Sequence, residues 1–476
     1  MLLNHIRDHI LRSLEFDPTR GQEELSGKFA DFICRPEQDS VFILRGYAGT
    51  GKTSMMRALV GTLEAYKFRT VLLAPTGRAA KVLASFTGKT AFTIHKWIYR
   101  QQSATDGMGR FLLNRNLARN CFFIVDEASM ISNQPLDSSV FGSGRLLDDL
   151  IEFVYNGNNC RLIVVGDTAQ LPPVGMELSP ALNAADMNGF GLQVVGHELT
   201  EVVRQETGSG ILYNATRIRE QINEPEVLPV YFPFILRGYG DIIRLGGEEL
   251  IERISVCYDH YGEQQTMVIT RSNKRANLFN RGIRSSILYK EAELSTGDLL
   301  MVVKNNYYWK PENNRTDFIA NGDIVRVTAI RRYEELYGFR FADVSLQFMD
   351  YDDQEVDCKI FLDTLDLESA SLSRDDNQRL FRSVAEDYEE IRNKRKRWEK
   401  IRENPYFNAL QVKFAYAVTC HKAQGGQWDA VFVDQGYLRE DMIDREYLRW
   451  LYTAFTRPVR ELYLVNFNRE FFESEA

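Results

Sequence analysis

Residues Val41 to Met56 read VFILRGYAGTGKTSMM, and the reading of this stretch decides the fold. The apolar run Val41-Phe42-Ile43-Leu44 has the length and composition of a strand buried on both faces. It enters Gly46-Tyr47-Ala48-Gly49-Thr50-Gly51-Lys52-Thr53, which fits G-x-x-x-x-G-K-S/T. Behind the loop, Ser54 to Ala65 places Met55, Leu59 and Leu63 on one helical face. Strand, glycine-rich loop and helix in that order predict a phosphate site. Glycines let the backbone aim successive N–H groups at phosphate oxygens, and the helix N-terminus adds its dipole. In such a loop Lys52 reaches the β- and γ-phosphates and Thr53 holds Mg²⁺ through its hydroxyl. The stretch therefore predicts a nucleoside triphosphate site, with Gly46, Gly49, Thr50, Gly51, Lys52, Thr53 and Ser54 around the phosphates.

The rest of the composition sets limits on what surrounds that site. A chain of 476 residues is too long for one core, so two to four domains are expected. No run approaches 18 uncharged apolar residues, which argues against a membrane span. The start, MLLNHIRDHILRSLEFD, lacks the apolar core of a signal peptide and carries acids, so a cytoplasmic location is expected. Six scattered cysteines without a C-x-x-C pair argue against a zinc ribbon and for a reducing compartment. A net charge of −8 excludes a global basic field, so any nucleic-acid surface must be a local groove.

Several further stretches carry polar residues at the ends of apolar runs. Gln22 opens a helix about twenty residues before the phosphate loop, either as a plain polar helix residue or as an amide that reads adenine. A strand at Thr70–Ala74 ends in Pro75-Thr76-Gly77-Arg78-Ala79-Ala80-Lys81, a turn suited to a polymer phosphate or to a solvated helix start. His95, in Phe92-Thr93-Ile94-His95-Lys96-Trp97, is either a packed residue or a phosphate donor. Residues 99–119 break the strand–helix alternation and read as a small hairpin insertion, with Asp106-Gly107 at its turn. Cys121–Val125 is a third buried strand ending at Asp126-Glu127-Ala128-Ser129. Asp126 there suits a Mg²⁺ shell, and Glu127 suits a base for the attacking water. Leu162–Val165 is a fourth strand, ending in Gly166-Asp167-Thr168-Ala169-Gln170-Leu171-Pro172-Pro173-Val174, where a strand-end amide at Gln170 would feel the γ-phosphate. Arg204, in Val202-Val203-Arg204-Gln205, is either a salt-bridge partner or a cation for transition-state charge.

Taken in order, G-x-A-G-T-G-K-T, P-T-G-R-A-A-K, V-D-E-A-S, G-D-x-x-Q-L-P-P-V and V-V-R-Q resemble superfamily 1 DNA helicases of the RecD/Dda type. The second half continues the resemblance. Thr270-Arg271-Ser272-Asn273 follows a new strand, Thr419-Cys420-His421-Lys422-Ala423-Gln424-Gly425 is similar to T-x-H-K-x-Q-G, and Tyr452-Thr453-Ala454-Phe455-Thr456-Arg457 is similar to Y-T-A-x-T-R. Pro458 stands where the family has alanine, and it is expected to perturb a helix start there. The short strands near 298–303, 322–330 and 343–348 resemble the family's SH3-like insertion, and residues 366–403 read as one long charged helical stretch.

The resemblance implies an α/β fold of two RecA-like P-loop NTPase domains with parallel sheets, carrying a β-hairpin insertion and an SH3-like β insertion with a charged helix. The expected boundaries are 1–205 for the first domain with its hairpin at 99–119, 206–295 and 405–476 for the second, and 296–404 for the insertion. It implies ATP and Mg²⁺ as cofactors, single-stranded DNA and duplex junctions as partners, a monomer, and 5′→3′ translocation. Lys52, Glu127, Gln170, Arg204 and Arg457 would be catalytic, with Arg457 as an arginine finger. Gln22, Gln424 and Gly425 would join the ATP-contacting set, and Thr53 and Asp126 the Mg²⁺ set. Thr76, Arg78, His95, Thr419, His421 and Lys422 would hold DNA. Phe111, the aromatic nearest the hairpin turn, would act as a wedge or pack beneath the hairpin. Rival readings are a translocase that does not unwind, an RNA-acting helicase, a clamp with a vestigial ATP site, and a P-loop kinase.

Overall fold

The computed structural model describes residues 2–35, 39–101, 111–135, 141–202, 208–224, 230–310, 319–349 and 354–472. The chain forms two compact units, the first made of Met1–Gln101, Arg110–Gly240 and Glu440–Thr456, the second of the remainder.

The first unit holds β1 (Ser40–Gly46), β2 (Arg69–Ala74), β3 (Ala91–Thr93), β4 (Tyr99–Gln101), β5 (Phe111–Leu113), β6 (Arg119–Val125), β7 (Asn158–Gly166) and β8 (Gln193–Leu199). Six of them form one parallel sheet in the order β3-β2-β6-β7-β1-β8. Side chains alternate between faces along each strand. Val41, Ile43, Phe123, Val125, Leu162 and Val164 therefore enter one core, with Leu147, Leu150 and Val154 of the helix Leu146–Tyr155. Phe42, Leu44, Phe122, Ile124, Ile163 and Val165 enter the other, with Leu25 and Phe29 of the helix Arg20–Cys34 and Met55, Leu59 and Leu63 of the helix Lys52–Ala65. Burial on both faces is what makes these strands read as continuous apolar runs. β4 and β5 pair antiparallel, Tyr99 opposite Leu113, so the expected hairpin has its base here, while its turn lies outside the described residues.

The second unit holds β9 (Ile242–Leu245), β10 (Thr266–Thr270), β11 (Leu299–Val302), β12 (Ile324–Leu336), β13 (Phe339–Phe348), β14 (Glu355–Phe361), β15 (Leu410–Phe414), β16 (Ala417–Thr419), β17 (Trp428–Asp434) and β18 (Pro458–Val465). One parallel sheet runs β16-β10-β17-β18-β9. A closed barrel, β11-β12-β13-β14-β15, is antiparallel except where β14 meets β15 in parallel.

Four features differ from the sequence reading. β15, expected with the second α/β sheet, closes the barrel instead by pairing with β11 and β14. Residues 366–403 are two helices, Arg374–Glu386 and Lys394–Arg402, the second capped by the Asn393 side chain. The ring of Phe381 meets Trp398 with centroids 5.1 Å apart, and Leu380, Val384 and Ile401 join a core with Phe339, Phe341 and Phe361 of the barrel. Trp398, at the end of the basic run Lys394-Arg395-Lys396-Arg397, is therefore packed. The helix Arg445–Phe455 packs within the first unit, where Phe455 meets Phe234 at 5.2 Å, although the sequence reading placed it in the second. Pro458 opens β18 after that helix has ended, a strand-start position that proline tolerates, so it perturbs no helix.

Among the described residues, no helix is long and apolar enough to cross a membrane.

Candidate nucleotide site and nucleic-acid face

The C-terminal ends of β1, β6 and β7 lie side by side in the sheet, and each carries one of the polar motifs. Ligands of parallel α/β sheets bind at this edge. After β1, Gly49 and Gly51 adopt φ of 78° and 82°, the left-handed region open to glycine, and the helix starts at Lys52. A Cβ on Gly46 would lie 3.0 Å from both Lys52 Cγ and Thr50 Oγ1, so only glycine lets the lysine fold back over the loop. Lys52 Nζ donates to the carbonyls of Gly46 at 2.6 Å and Tyr47 at 2.8 Å. Thr50 is buried and donates its hydroxyl to Tyr47 O at 2.8 Å.

Gln22 is fully buried. Its amide donates to Thr50 O at 3.2 Å and accepts from Thr19 N at 3.1 Å, the latter as half of a capping box. Gln22 thus ties the start of its own helix to the phosphate loop.

After β6, Asp126 and Glu127 stand together. The Glu127 N–H donates to Asp126 Oδ1 at 2.9 Å, and Glu127 itself takes a left-handed φ of 51°, a strained conformation of the kind that clusters at functional sites. Burial, and then the Glu127 carboxylate, push the Asp126 carboxyl up to about 7, against the pull of the Glu127 N–H and Lys52. Thr53 and Asp126 together offer one hydroxyl and one carboxylate oxygen. That donor set fits Mg²⁺, which binds through one or two protein oxygens plus phosphates and water. Among the described residues, no cluster of three or more His, Cys, Asp or Glu side chains occurs.

After β7, Asp167 is buried, with its Oδ2 3.9 Å from Lys52 Nζ. Three residues on, Gln170 is buried and its Oε1 has no hydrogen-bond partner among the described residues. An acceptor left open in this place suits a water molecule at the γ-phosphate.

Several contributors to this site carry no assigned role in the sequence reading. Asp167 sat inside the G-D-x-x-Q motif without an assigned task. Tyr452 donates its phenol to Asp167 Oδ2 at 2.8 Å and accepts from the N–H of Ala48, in the phosphate loop, at 2.9 Å. Thr453 Oγ1 accepts from Leu171 N at 2.9 Å. The helix Gly210–Asn223 also walls the loop. Arg219 lies over the Tyr47 ring at 4.5 Å, Asn223 donates to the Tyr47 phenol at 3.3 Å, and Leu212 would be 3.0 Å from a Cβ on Gly49. Arg204 lies outside the described residues.

The ends of β2 and β3, at the other side of the same sheet edge, carry the expected polymer contacts. Thr76 caps the helix Gly77–Thr87 by accepting from Ala79 N at 3.2 Å, and Arg78 is in its first turn. His95 follows β3 and packs its ring 5.0 Å from Phe141 and 5.7 Å from Tyr99. Burial pushes its pKa down to about 4, so at neutral pH it offers a neutral imidazole and no positive charge to a phosphate. Phe111 stacks on Phe141 at 4.9 Å. It is half-buried and lies opposite Gln101, at the end of the described ladder nearest the turn.

In the second unit, Thr419 ends β16 and leads into Cys420–Ala423. His421 is exposed. Lys422 Nζ is buried without a partner among the described residues, and burial pushes its pKa down to about 8. Gln424 is buried, Gly425 takes φ of 73°, and Arg457 is buried with Nη1 donating to Gly426 O at 3.2 Å. The residues that the sequence reading grouped as T-x-H-K-x-Q-G and the arginine after Y-T-A-x-T are thus neighbours.

Comparison with known proteins agrees with this arrangement. Residues 33–227 match the AAA domain family, and residues 414–465 match the UvrD-like helicase C-terminal domain family. An uncharacterized protein of Acanthamoeba polyphaga mimivirus is 23% identical, over 93% of this chain and 98% of that one. The ATP-dependent DNA helicase dda of Enterobacteria phage T4 is 25% identical, over 82% of this chain and 86% of that one. The ATP-dependent RecD2 DNA helicase of Deinococcus radiodurans is 30% identical over 42% of this chain, and the match spans 24% of its own length.

Proposed function

From the order of its motifs and its similarity to the AAA domain and UvrD-like helicase C-terminal domain families, we infer that this chain is a superfamily 1 helicase of the RecD/Dda-like branch, an ATP-dependent DNA helicase that translocates 5′→3′ on single-stranded DNA and separates duplex. The observation that carries the reading is the adjacency of the three polar strand ends, on β1, β6 and β7, with Lys52 3.9 Å from Asp167.

In phosphoryl transfer, positioning and charge neutralisation do most of the work. The loop amides and Lys52 bind and orient the phosphates. Thr53 and Asp126 would hold Mg²⁺, which when bound neutralises charge on the β- and γ-phosphates. Glu127 takes the proton from the attacking water, and the open Gln170 oxygen orients that water. Arg457 is assigned the transition-state cation by its motif, a role worth about 10³–10⁵ in rate. Thr76 and Arg78, from the first unit, and Thr419, His421 and Lys422, from the second, are assigned to the strand's phosphates; His95 contributes a neutral N–H at most.

The test is strand separation with ATP and Mg²⁺ on duplexes bearing a 5′ or a 3′ single-stranded tail, with Glu127→Gln alongside. Unwinding from the 5′ tail alone, lost in the variant while nucleotide still binds, is the expected result. Unwinding from the 3′ tail would reverse the polarity, and DNA-stimulated hydrolysis without unwinding would leave a translocase.

A further inference from the structure

Tyr452 lies seven residues into the helix Arg445–Phe455, on an apolar face shared with Leu448, Leu451 and Phe455, and its ring is 1% exposed. Packing alone would be served by phenylalanine. The hydroxyl is nevertheless fully used, donating to Asp167 Oδ2 at 2.8 Å and accepting from Ala48 N at 2.9 Å. Both partners belong to the nucleotide site. Ala48 is the third residue of the phosphate loop, whose N–H groups serve phosphate oxygens. Asp167 is the carboxylate beside Lys52. Desolvation and the Asp167 charge both hold the phenol far above its ordinary pKa, so it stays a donor at every working pH.

We propose that the Tyr452 hydroxyl is a positioning group that competes with phosphate for the Ala48 N–H, so that filling of the phosphate loop is read by the helix that ends two residues before Arg457. The proposal rests on the reading of this site as an ATP site. An amide N–H makes one good hydrogen bond, so the Ala48 donor serves either the phenol or a phosphate oxygen. Lys52 differs from the amide in this respect: its ammonium has three donors, so it keeps its bonds to Gly46 O and Tyr47 O and still offers one to a phosphate. Asp167 couples the two, because it faces both the lysine and the phenol. Tyr452 acts through Ala48 and Asp167 and touches no reacting atom, which makes its role one of positioning.

The experiment measures binding of a fluorescent ADP analogue, melting temperature without nucleotide, and steady-state ATP hydrolysis for wild type, Tyr452→Phe and Thr453→Val. The phenylalanine keeps the ring and leaves the Ala48 N–H without its acceptor. The expected result is analogue binding several-fold tighter than wild type, together with a kcat at least ten-fold lower, because Asp167 loses a donor. Thr453→Val removes the bond to Leu171 N from the same helix and is expected to lower the melting temperature without tightening binding. A lower melting temperature in Tyr452→Phe with binding and the kcat-to-KM split unchanged would reduce Tyr452 to packing and overturn the proposal. Equal tightening in Thr453→Val would attribute the effect to a loosened helix and overturn it too. Failure of the wild type to bind the analogue would instead overturn the assignment of the ATP site itself.

Discussion

Lys52 Nζ and Asp167 Oδ2 face each other at 3.9 Å, with the carboxylate 1% exposed and the lysine turned onto its own loop carbonyls. Asp167 also accepts from Ala169 N at 3.0 Å and from Tyr452 at 2.8 Å, so the carboxylate is fixed from three sides. A charge fixed in advance in this way needs no reorganisation during the reaction.

Asp167→Asn keeps the shape but sets an amide donor against the donors of Lys52 or Tyr452. Its kcat for DNA-stimulated hydrolysis should fall by about 10²-fold, the scale of one preorganised electrostatic group. Phosphate release at saturating ATP measures this, and an unchanged kcat would remove Asp167 from the site.

His95 gives the stability a pH slope. Its folded pKa, about 4, lies below the ordinary 6.5, so the unfolded chain binds the extra proton first. Stability is therefore full above pH 6.5 and declines as pH falls towards 4, by up to about 3 kcal/mol. Denaturant midpoints of wild type and His95→Gln between pH 7 and 4 should diverge in that window, the wild type losing more. Parallel curves would mean that the imidazole is solvated.

The ammonium of Lys422, buried and without a partner among the described residues, is a candidate for a backbone-phosphate contact in the second unit. Lys422→Ala should weaken binding to single-stranded DNA evenly across sequences and reduce the log–log salt slope by about 0.7. Fluorescence anisotropy at several salt concentrations reads both. A loss confined to particular sequences would point to base contacts.

Arg284 and Asp298 form a buried pair at 3.0 Å in the second unit, with the guanidinium 4.3 Å from the Phe414 ring. Lys290, Tyr416 and the Ser295 N–H also point at Asp298. Breaking such a pair from one side leaves a buried charge, so Arg284→Ala should cost about 3–5 kcal/mol. Equilibrium urea unfolding would show it as a lowered midpoint. A change below about 1 kcal/mol would mean that Lys290, Tyr416 and the Ser295 N–H satisfy the carboxylate without Arg284.

By itself the sequence determined the parallel α/β core of the first unit and the residues of the phosphate loop. Strands buried on both faces are written as apolar runs, and the loop's backbone geometry demands glycine at fixed places; Val41–Leu44, Gly49 and Gly51 show both. It also determined that Asp126 and Glu127 stand at the end of β6 and Asp167 at the end of β7, because a polar residue directly after such a run has nowhere else to be. Only the tertiary structure decided that Gln22 spends its amide on Thr19 and Thr50, that His95 is neutral, that Phe111 stacks on Phe141, and that β15 closes the barrel. It alone brought Tyr452 to Ala48, some four hundred residues away along the chain. The reason is physical: burial, pKa and hydrogen-bond partners belong to the neighbours a residue acquires, and those neighbours come from distant segments that carry no periodic signal of the encounter. A tyrosine on an apolar helix face reads as packing until the position of its hydroxyl is known.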